Sequence, residues 1–361
     1  MEPAKPIKFT VLGDAIVDVS VGPLDAFPTP GADVAASAIA LSPGGSALNT
    51  AWHLAEQGVD AELRAAVGKD RAASVLTRAL ADESKLRDPS KSIATLNYHA
   101  TASCVTIAAG AKTERAFVSS PGAARAATMN QLLPDGGDAD ALDATHVHVA
   151  GFYVCEGVHG GLAGVVRRLK SRGVVVSMDP NFDANGGWTN RAMKLAIKGP
   201  SAVDVLLPSE VEACEITGKP TAEEALDALL GVAEGEGGGK GSPDGVKLVV
   251  IKRGAAGVLA GDRDGGRWNA PACTVSRVVD TNGAGDAFNA GFLRSWASGA
   301  GVPQALNVGC AAAAIAAQHA GAVGAWAPSA AAVDALADAE YGDKPWWQQG
   351  LLACMAPRKL T

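Results

Sequence analysis

The chain has 361 residues, of which 48% are hydrophobic and 5% aromatic, and its formal net charge is −7 at pH 7. This length suits one large α/β domain or two ordinary ones, and the apolar content allows a large core. The acidic balance argues against nucleic acid as a partner. No apolar run reaches the roughly 18–20 residues that a membrane span requires.

The N-terminal stretch "MEPAKPIKFTVLGDAIVD" is charged and runs directly into a strand pattern, which is unlike a signal peptide. The six cysteines are scattered and form no CxxC pair, so they indicate neither a disulfide framework nor a zinc site. We therefore expect a cytoplasmic protein without a membrane partner, whose cysteines are reduced and mostly buried.

The first part of the chain contains strand and helix patterns in turn. "KFTVLGDAIVDVSV" and "AELRAAVG" predict strands, whereas "LNTAWHLAEQG", which ends at Gly58, and "RAASVLTRALADE" have helical spacing. Residues 16–43 and 93–120 differ from this rhythm because they are β-like and contain Pro or Gly turns. They predict a smaller side sheet over one end of the main sheet.

From about residue 144 the alternation becomes regular. The segments "THVHVAGF", "VVVSMDPN", "AVDVLLPS" and "VKLVVIKRG" predict strands, and the segments between and after them have helical spacing. Repeated strand–helix alternation indicates a parallel sheet with helices on both faces. Residues 233–245 ("AEGEGGGKGSPDG") are rich in glycine and predict a flexible surface loop.

Residues 280–286 read D-T-N-G-A-G-D, between an apolar stretch ("TVSRVVD") that predicts a strand and a helix pattern. A helix N-terminus offers N–H groups and a positive dipole end, and glycine lets a phosphate approach the backbone. The amides of residues 282–285 are therefore a candidate anion hole. Asp286 has two interpretations, because it could cap the helix or act as a general base toward a substrate hydroxyl.

Two further motifs carry polar groups near predicted strand ends. "LSPGGSALNTAWHLA" opens a helix, and Gly44 and Gly45 would let a polyol approach while Asn49 offers a donor and an acceptor. In "GDAIVD", Asp18 follows the first predicted strand, where a carboxylate can accept two vicinal hydroxyls. The alternatives are a tight turn with an N-terminal cap for the glycines and a surface turn for Asp18.

Several common enzyme classes are excluded by their missing motifs. The chain has no G-x-x-x-x-G-K-[ST] phosphate loop, no H-R-D or D-F-G pair of a protein kinase, and no G-x-S-x-G nucleophile elbow. His146 and His148 alternate along one predicted strand without metal-ligand spacing, so we expect them to serve packing.

The three motifs, in this order, resemble the signatures of the ribokinase (PfkB) family of carbohydrate and nucleoside kinases. "GGSALNTAWHLAEQG" is similar to the first signature and "DTNGAGD" to the second, and the resemblance covers about residues 7–335. It implies a single α/β kinase domain over 1–361, a three-layer α/β/α sandwich with a mainly parallel central sheet. The segments 16–43 and 93–120 would form its small β-sheet lid.

The resemblance also implies roles for individual residues. It implies that Asp286 is the catalytic base and that Gly283, Ala284 and Gly285 form the anion hole. It implies a substrate site formed by Asp18, Gly44, Gly45 and Asn49.

ATP and metal positions follow from the same resemblance. Asp280 falls where family members bind a monovalent cation such as K⁺, with backbone at Asn282 and around Gly321 as partners. "SEVE" matches the N-x-x-E motif that holds Mg²⁺ through water, with Ser209 in place of Asn and Glu212 keeping the carboxylate. Ser209, Glu212 and Asn282 would thus form the ATP and magnesium side of the site.

The sequence therefore predicts an ATP-dependent carbohydrate kinase that uses ATP, Mg²⁺ and K⁺. In "MDPNFDANGGW", Asp183 stands where the family often has Arg, which favours a neutral substrate. An adenosine kinase, or another nucleoside kinase of the same family, is the nearest alternative, and a non-catalytic ligand-binding relative is a second one. A homodimer through the lid is a further expectation.

Overall fold

The computed structural model describes residues 6–110, 114–232 and 240–342. Within these ranges, nine strands form a large sheet, and four strands form a second, smaller sheet. Helices cover both faces of the large sheet. The predicted α/β sandwich with a mainly parallel sheet and a small second sheet is therefore confirmed.

The elements are numbered here in chain order. The strands are β1 (Lys8–Leu12), β2 (Ile16–Leu24), β3 (Ile39–Gly44), β4 (Asp60–Gly68), β5 (Ile93–Leu96), β6 (Ala102–Ala109), β7 (Glu114–Ser120), β8 (His146–Val149), β9 (Val175–Met178), β10 (Val205–Leu206), β11 (Leu248–Lys252), β12 (Val258–Asp262) and β13 (Arg267–Ala270). The helices are α1 (Ser46–Glu56), α2 (Arg71–Asp82), α3 (Pro89–Ser92), α4 (Gly122–Ala126), α5 (Met129–Leu132), α6 (His159–Ser171), α7 (Arg191–Ile197), α8 (Glu210–Thr217), α9 (Ala222–Leu230), α10 (Ala284–Ala297), α11 (Val302–Ala316) and α12 (Ala330–Tyr341).

The large sheet has the strand order β13-β12-β11-β10-β9-β8-β1-β4-β5. The pairs from β11 to β5 are parallel, and among the described strands of this sheet only the pairs β11–β12 and β12–β13 are antiparallel. Parallel pairing brings the carboxyl ends of β1, β9 and β11 to one edge of the sheet. In open sheets of this kind, ligand sites lie at that edge.

Alternate residues of the strands pack into different cores. Phe9 and Val11 of β1 belong to a cluster that includes α1, α2, α10, α11 and α12. Leu12 and the β11 residue Ile251 belong to a second cluster that includes the helices α4 to α9. Burying each large apolar side chain contributes roughly 1.5–3 kcal/mol, so both helical layers are held firmly to the sheet.

The small sheet has the order β3-β2-β6-β7. Its cross-strand register places two neighbouring rows of different chemical character on opposite faces. One face carries a polar row, namely Ser42, Asp18, Cys104 and Ser119. The other face carries an apolar row, namely Leu41, Val19, Val105 and Val118.

Two local predictions are wrong. Asp18 does not follow the first strand but lies within β2, because the chain leaves β1 at Leu12 and enters a new strand at Ile16. Residues 274–280 ("TVSRVVD") form no strand. They have no neighbouring strand to pair with, and the N–H groups of Val279 and Asp280 instead donate to the carbonyl of Ala317, at 2.8 and 3.2 Å.

The two segments predicted to form the small sheet differ slightly from the observed strands. The range 93–120 includes β5, which pairs with β4 in the large sheet, before the chain enters β6. Residues 233–239 of the predicted Gly-rich loop lie outside the described residues. In the part of the chain that is described, no helix is long and apolar enough to cross a membrane.

Candidate active site

Asp286 lies in the first turn of α10, and its two carboxylate oxygens bind side chains from α1. Ser46 Oγ donates to Oδ1 at 2.7 Å, and Asn49 Nδ2 donates to Oδ2 at 2.8 Å. The N-cap residue of α10 is Gly283, and no side chain caps this helix. Asp286 therefore does not serve as the helix cap; its carboxylate is directed across to the start of another helix.

Burial and the neighbouring charges set the pKa of Asp286. Burial raises this pKa to about 7, and the nearby carboxylate of Asp179 adds to the rise. The hydrogen bonds from Ser46 and Asn49 and the ammonium of Lys252 oppose it. A carboxyl with a pKa near 7 can accept a proton at neutral pH, which is the property required of a general base.

Asp18 approaches the same site from the small sheet. Its Oδ2 accepts a hydrogen bond from Asn282 Nδ2 at 3.3 Å, which joins β2 to the D-T-N-G-A-G-D loop. Burial raises the pKa of Asp18 to about 6, with further contributions from Asp14 and Asp280. Gly44 permits this arrangement, because a Cβ atom there would lie 2.2 Å from Asp18 Oδ2.

The start of α1 is held by Asp14, in the loop after β1. Its Oδ1 accepts the N–H of Ala47 at 2.9 Å, and its carbonyl accepts the N–H of Leu48 at 3.2 Å. Gly45 is the N-cap residue with φ of 101°, and a Cβ there would meet the Asp14 carbonyl at 3.0 Å. The two glycines thus bring α1, with Ser46 and Asn49, close to α10.

The D-T-N-G-A-G-D loop packs against residues that follow α11. Gly283 has φ of 73°, and a Cβ there would lie 2.5 Å from Ala322 Cβ, so only glycine fits. The buried ring of His53 donates from Nε2 to the Ala322 carbonyl at 3.0 Å. Burial lowers the pKa of His53 to about 4, so the ring is neutral and donates one proton.

Asp280, at the start of this loop, has three donors. Its Oδ1 accepts the N–H of Asn282 at 2.8 Å, and its Oδ2 accepts the N–H of Gly321 at 3.1 Å. The guanidinium of Arg115, from β7, lies 3.0 Å from Oδ1. Asp280 therefore ties the loop to the turn after α11 and to the small sheet.

A buried polar cluster lies beneath the start of α10. Lys252, the last residue of β11, forms an ion pair with Asp179 after β9 and donates to Asn289 Oδ1 at 3.3 Å. Asn289 Nδ2 in turn donates to Asp179 Oδ2 at 2.6 Å. Burial alone would lower the pKa of Lys252, but Asp179 and Glu212 outweigh it and raise this pKa above its ordinary value.

Ser209 and Glu212 lie at the start of α8, beside this cluster. They form a capping box, in which Ser209 Oγ accepts the Glu212 N–H at 3.3 Å and Glu212 Oε2 accepts the Ser209 N–H at 2.8 Å. Burial and Asp179 raise the pKa of Glu212 to about 6, while Lys252 opposes the rise. Ser209 therefore replaces Asn with a residue that caps the helix and positions Glu212.

The carboxylates of Asp179 and Glu212 suit a magnesium ion. Mg²⁺ prefers oxygen ligands and keeps several of its waters, so these two buried carboxylates are chemically suitable donors for it. Asp183, from the same strand-end segment as Asp179, is buried and accepts the N–H of Asn185 at 2.8 Å.

The two histidines on β8 serve packing, as predicted. His146 stacks on Phe9 with 4.8 Å between the ring centroids, and the buried His148 Nδ1 lies 2.8 Å from Ser177 Oγ. Among the described residues, no group of three or more His, Cys, Asp or Glu side chains is placed to hold a metal ion.

The structure thus brings the three sequence motifs to one place. Asp18 contacts the D-T-N-G-A-G-D loop, and Asn49 contacts Asp286. Six other residues of the site do not stand out in the sequence alone, namely Asp14, Ser46, Arg115, Asp179, Lys252 and Asn289. Lys252 had a usable pattern, since a lysine ends an apolar strand at the carboxyl edge of a parallel sheet.

Comparison with known proteins identifies the class of this molecule. A family model described as "pfkB family carbohydrate kinase" matches residues 7–329. This range is most of the chain, so the chain belongs to the pfkB family of carbohydrate kinases.

Solved structures show the same fold. A ribokinase from Arabidopsis thaliana, complexed with ribose and ATP, is 22% identical with a TM-score of 0.73, over 92% of this chain and 99% of that one. An Escherichia coli protein described as a ribokinase II, in complex with ATP and Mg²⁺, is 21% identical with a TM-score of 0.72, over 91% and 98% of the two chains. The fold is therefore ribokinase-like.

Curated relatives match over shorter stretches. A cytidine kinase from Thermococcus kodakarensis is 30% identical over 145 residues, which are 40% of this chain and 47% of that protein. The alignments to this and the other curated relatives span less than half of their lengths.

Proposed function

We propose that this protein transfers the γ-phosphoryl group of ATP to a hydroxyl group of a sugar, with Asp286 as the general base. The observation that carries the proposal is the position of the Asp286 carboxylate. It is held by Ser46 and Asn49 at the start of α10, and its pKa is raised to about 7. Carboxylates whose pKa is strongly shifted by burial and by a specific charged neighbour cluster at functional sites.

The acceptor would lie between the small sheet and the start of α1. Asp18 and Asn49, with the close approach that Gly44 and Gly45 permit, would bind its ring hydroxyls. Asn49 Oδ1 is buried and has no partner among the described residues, so it could accept a hydrogen bond from a hydroxyl group of the acceptor. Asp286 would then take the proton of the hydroxyl that attacks.

The phosphoryl group would be received by the start of α10. The N–H groups of the N-cap residue Gly283 and of Ala284 and Gly285 have no partners within the helix, although the Ala284 N–H also lies 3.3 Å from the Thr281 carbonyl. These groups and the positive dipole end of the helix would bind the phosphate. Asn282 and Lys252 add a donor and a positive charge at the two sides of this turn. Phosphoryl transfer depends mainly on such positioning and charge neutralisation.

Magnesium belongs to this proposal as the partner of ATP. Glu212, positioned by Ser209, would hold the ion through water, with Asp179 beside it. When bound, the ion would neutralise charge on the phosphate oxygens. The E. coli protein of the same fold, in complex with ATP and Mg²⁺, is consistent with this pair of cofactors.

A nucleoside is the second candidate acceptor. The partial match to a cytidine kinase favours it, whereas the match in fold to a ribokinase complexed with ribose favours a sugar. Asp183, where an arginine is common in the family, supports a neutral acceptor in either case. A non-catalytic binding protein is the third candidate, but it would have no need for Asp286 or for the glycines beside it.

The test is ATP consumption against a panel of neutral sugars, phosphorylated sugars and nucleosides in the presence of Mg²⁺. Turnover with at least one sugar supports the proposal, and turnover with nucleosides alone selects the second candidate. A folded protein that binds a member of the panel, detected by a raised melting temperature, without turning over any of them would be a binding protein.

We also propose that the chain forms a homodimer through the small sheet. The apolar face of this sheet is open to solvent, since Leu41 is 60% exposed and Val118 is 65% exposed. An exposed apolar patch on a sheet is typical of an interface between subunits. Localisation in the cytoplasm stays a prediction from the sequence.

A further inference from the structure

The carboxylate of Asp280 is already supplied with positive charge by the chain itself. Arg115 Nη1 lies 3.0 Å from Oδ1, and the same nitrogen donates to Thr281 Oγ1 at 3.3 Å. Both charged side chains of the pair are only 21% exposed. An ion pair with this degree of burial is screened less by salt than a surface pair.

Two of the three lone-pair positions that Arg115 leaves on the Asp280 carboxylate also face donors. The backbone N–H groups of Asn282 and Gly321 donate to Oδ1 and Oδ2. A monovalent cation needs oxygen atoms with free lone pairs around it, and a guanidinium beside the carboxylate repels a second cation. The observed donors therefore do not fit K⁺ at the Asp280 carboxylate, the position that the family resemblance implies.

Arg115 reaches this loop from a different part of the fold. It lies on β7, on the same face of the small sheet as Asp18, as the strand register shows. Through Asp280 and Thr281 it connects the small sheet to the loop that opens α10. Without Arg115, Asp280 would leave an uncompensated negative charge beside the place where phosphate binds in the proposed function.

We propose that Arg115 is the resident cation of this site: a positioning residue that holds the loop 280–283 in place of a monovalent cation. This inference rests on the proposed kinase function. It concerns whether the kinase needs a monovalent cation, which the proposed function does not specify. The expected consequence is a kinase whose turnover does not need K⁺.

The first experiment measures turnover in KCl and in choline chloride at equal ionic strength, with an acceptor identified by the panel. The wild type should be equally active in both salts, within about twofold. Arg115→Met should lose roughly 10- to 100-fold in choline, the range for removing a charged hydrogen bond, and K⁺ should restore much of that loss. Arg115→Lys, which keeps the charge, should retain more activity than Arg115→Met in choline.

Arg168→Met is the matched control, because Arg168 forms an ion pair with Asp140 on the outer surface of α6. It should behave as the wild type in both salts. Activation of the wild type by K⁺ of about tenfold or more would overturn the proposal. A loss in Arg115→Met that K⁺ does not restore, or no loss at all, would overturn it as well.

The second experiment is independent of turnover. The midpoint of thermal unfolding should be the same for the wild type in KCl and in choline chloride, whereas KCl should raise the midpoint of Arg115→Met by at least about 2 °C. A rise for the wild type would overturn the proposal. If no acceptor is phosphorylated, the kinase assignment fails, and this measurement still decides the role of Arg115.

Discussion

Asp286 and Lys252 together determine how activity should depend on pH. Asp286 must be deprotonated to accept a proton, and burial raises its pKa to about 7. Hence kcat/KM should rise with pH through about 7. The charged groups that act on Asp286 are Asp179, which raises its pKa, and Lys252, which lowers it.

Removing the positive charge at position 252 tests this arrangement. In Lys252→Met, Asp286 loses a stabilising cation and Asp179 loses its partner, and both changes raise the pKa of Asp286. The acid limb of the kcat/KM profile should therefore move to higher pH, while Lys252→Arg should stay near the wild-type profile. An unmoved limb in Lys252→Met, with the protein folded, would show that Lys252 does not act on the base.

At the residue scale, the sequence identified candidate groups but not how they are held. Asp18, Asn49 and Asp286 stand out because each follows a glycine-containing motif near a predicted strand or helix start. Their partners are far away in sequence, since Ser46 and Asp286 are 240 positions apart. Arg115 and Lys252 were missed because their carboxylate partners are distant in the sequence. Only folding brings Arg115 beside Asp280 and Lys252 beside Asp179.

The start of α10 depends on a glycine at one position and tolerates a side chain at another. Gly283 has φ of 73° and its Cβ would collide with Ala322, whereas a Cβ at Gly285 would have Lys252 Nζ, at 3.7 Å, as its nearest neighbour. Gly283→Ala should lower the free energy of unfolding by about 1–3 kcal/mol. Gly285→Ala should change it by no more than about 1 kcal/mol.

Urea denaturation of the two variants measures this difference directly. Gly285→Ala is the matched control, because it adds the same methyl group two residues away in the same turn. Equal stabilities for both variants would mean that the close contact between Gly283 and Ala322 is absent in solution.

Strand β2 contributes Asp18, which should act mainly on acceptor binding. Asp18→Ala should raise KM for the acceptor by roughly tenfold or more, the cost of losing hydrogen bonds to a charged group. The KM for ATP should change much less. The control is Asp25→Ala, an exposed aspartate just beyond β2; an unchanged acceptor KM in Asp18→Ala would remove Asp18 from the binding site.

At the element scale, periodicity predicted most of the parallel strands and most of the long helices, although α12 was not predicted. It failed at "TVSRVVD", whose apolar content is typical of a strand although β13 has already ended at Ala270. Val278 there is 56% exposed, because the segment crosses the end of α11 instead of joining the sheet. Local sequence does not encode whether a neighbouring strand is available.

For the whole molecule, the small sheet connects the acceptor site to the surface proposed for dimerisation. If its apolar face joins two subunits, the wild type should sediment as a dimer. Val118→Glu places a charge on that face and should give monomers at micromolar concentrations. Val211→Glu, at a valine 58% exposed on α8, is the control and should remain dimeric; a monomeric wild type would contradict the dimer.

The overall architecture was predictable because strand–helix alternation permits few topologies. The sequence pattern does not determine which strands pair with each other. That pairing sets the order of the strands, the two cores and the position of the small sheet. Sugar and nucleoside acceptors remain the two candidates, since Asp18, Asn49 and Asp286 would serve either one.

The most direct test of the central claim is the turnover number of Asp286→Asn with the best acceptor of the panel. The substitution keeps the shape of the side chain and removes the proton acceptor, so kcat should fall by about 10²–10⁴, with ATP binding nearly unchanged. The phosphorylated product is detected by mass spectrometry and ATP binding by calorimetry. Turnover close to that of the wild type would contradict the assignment of Asp286 as the base.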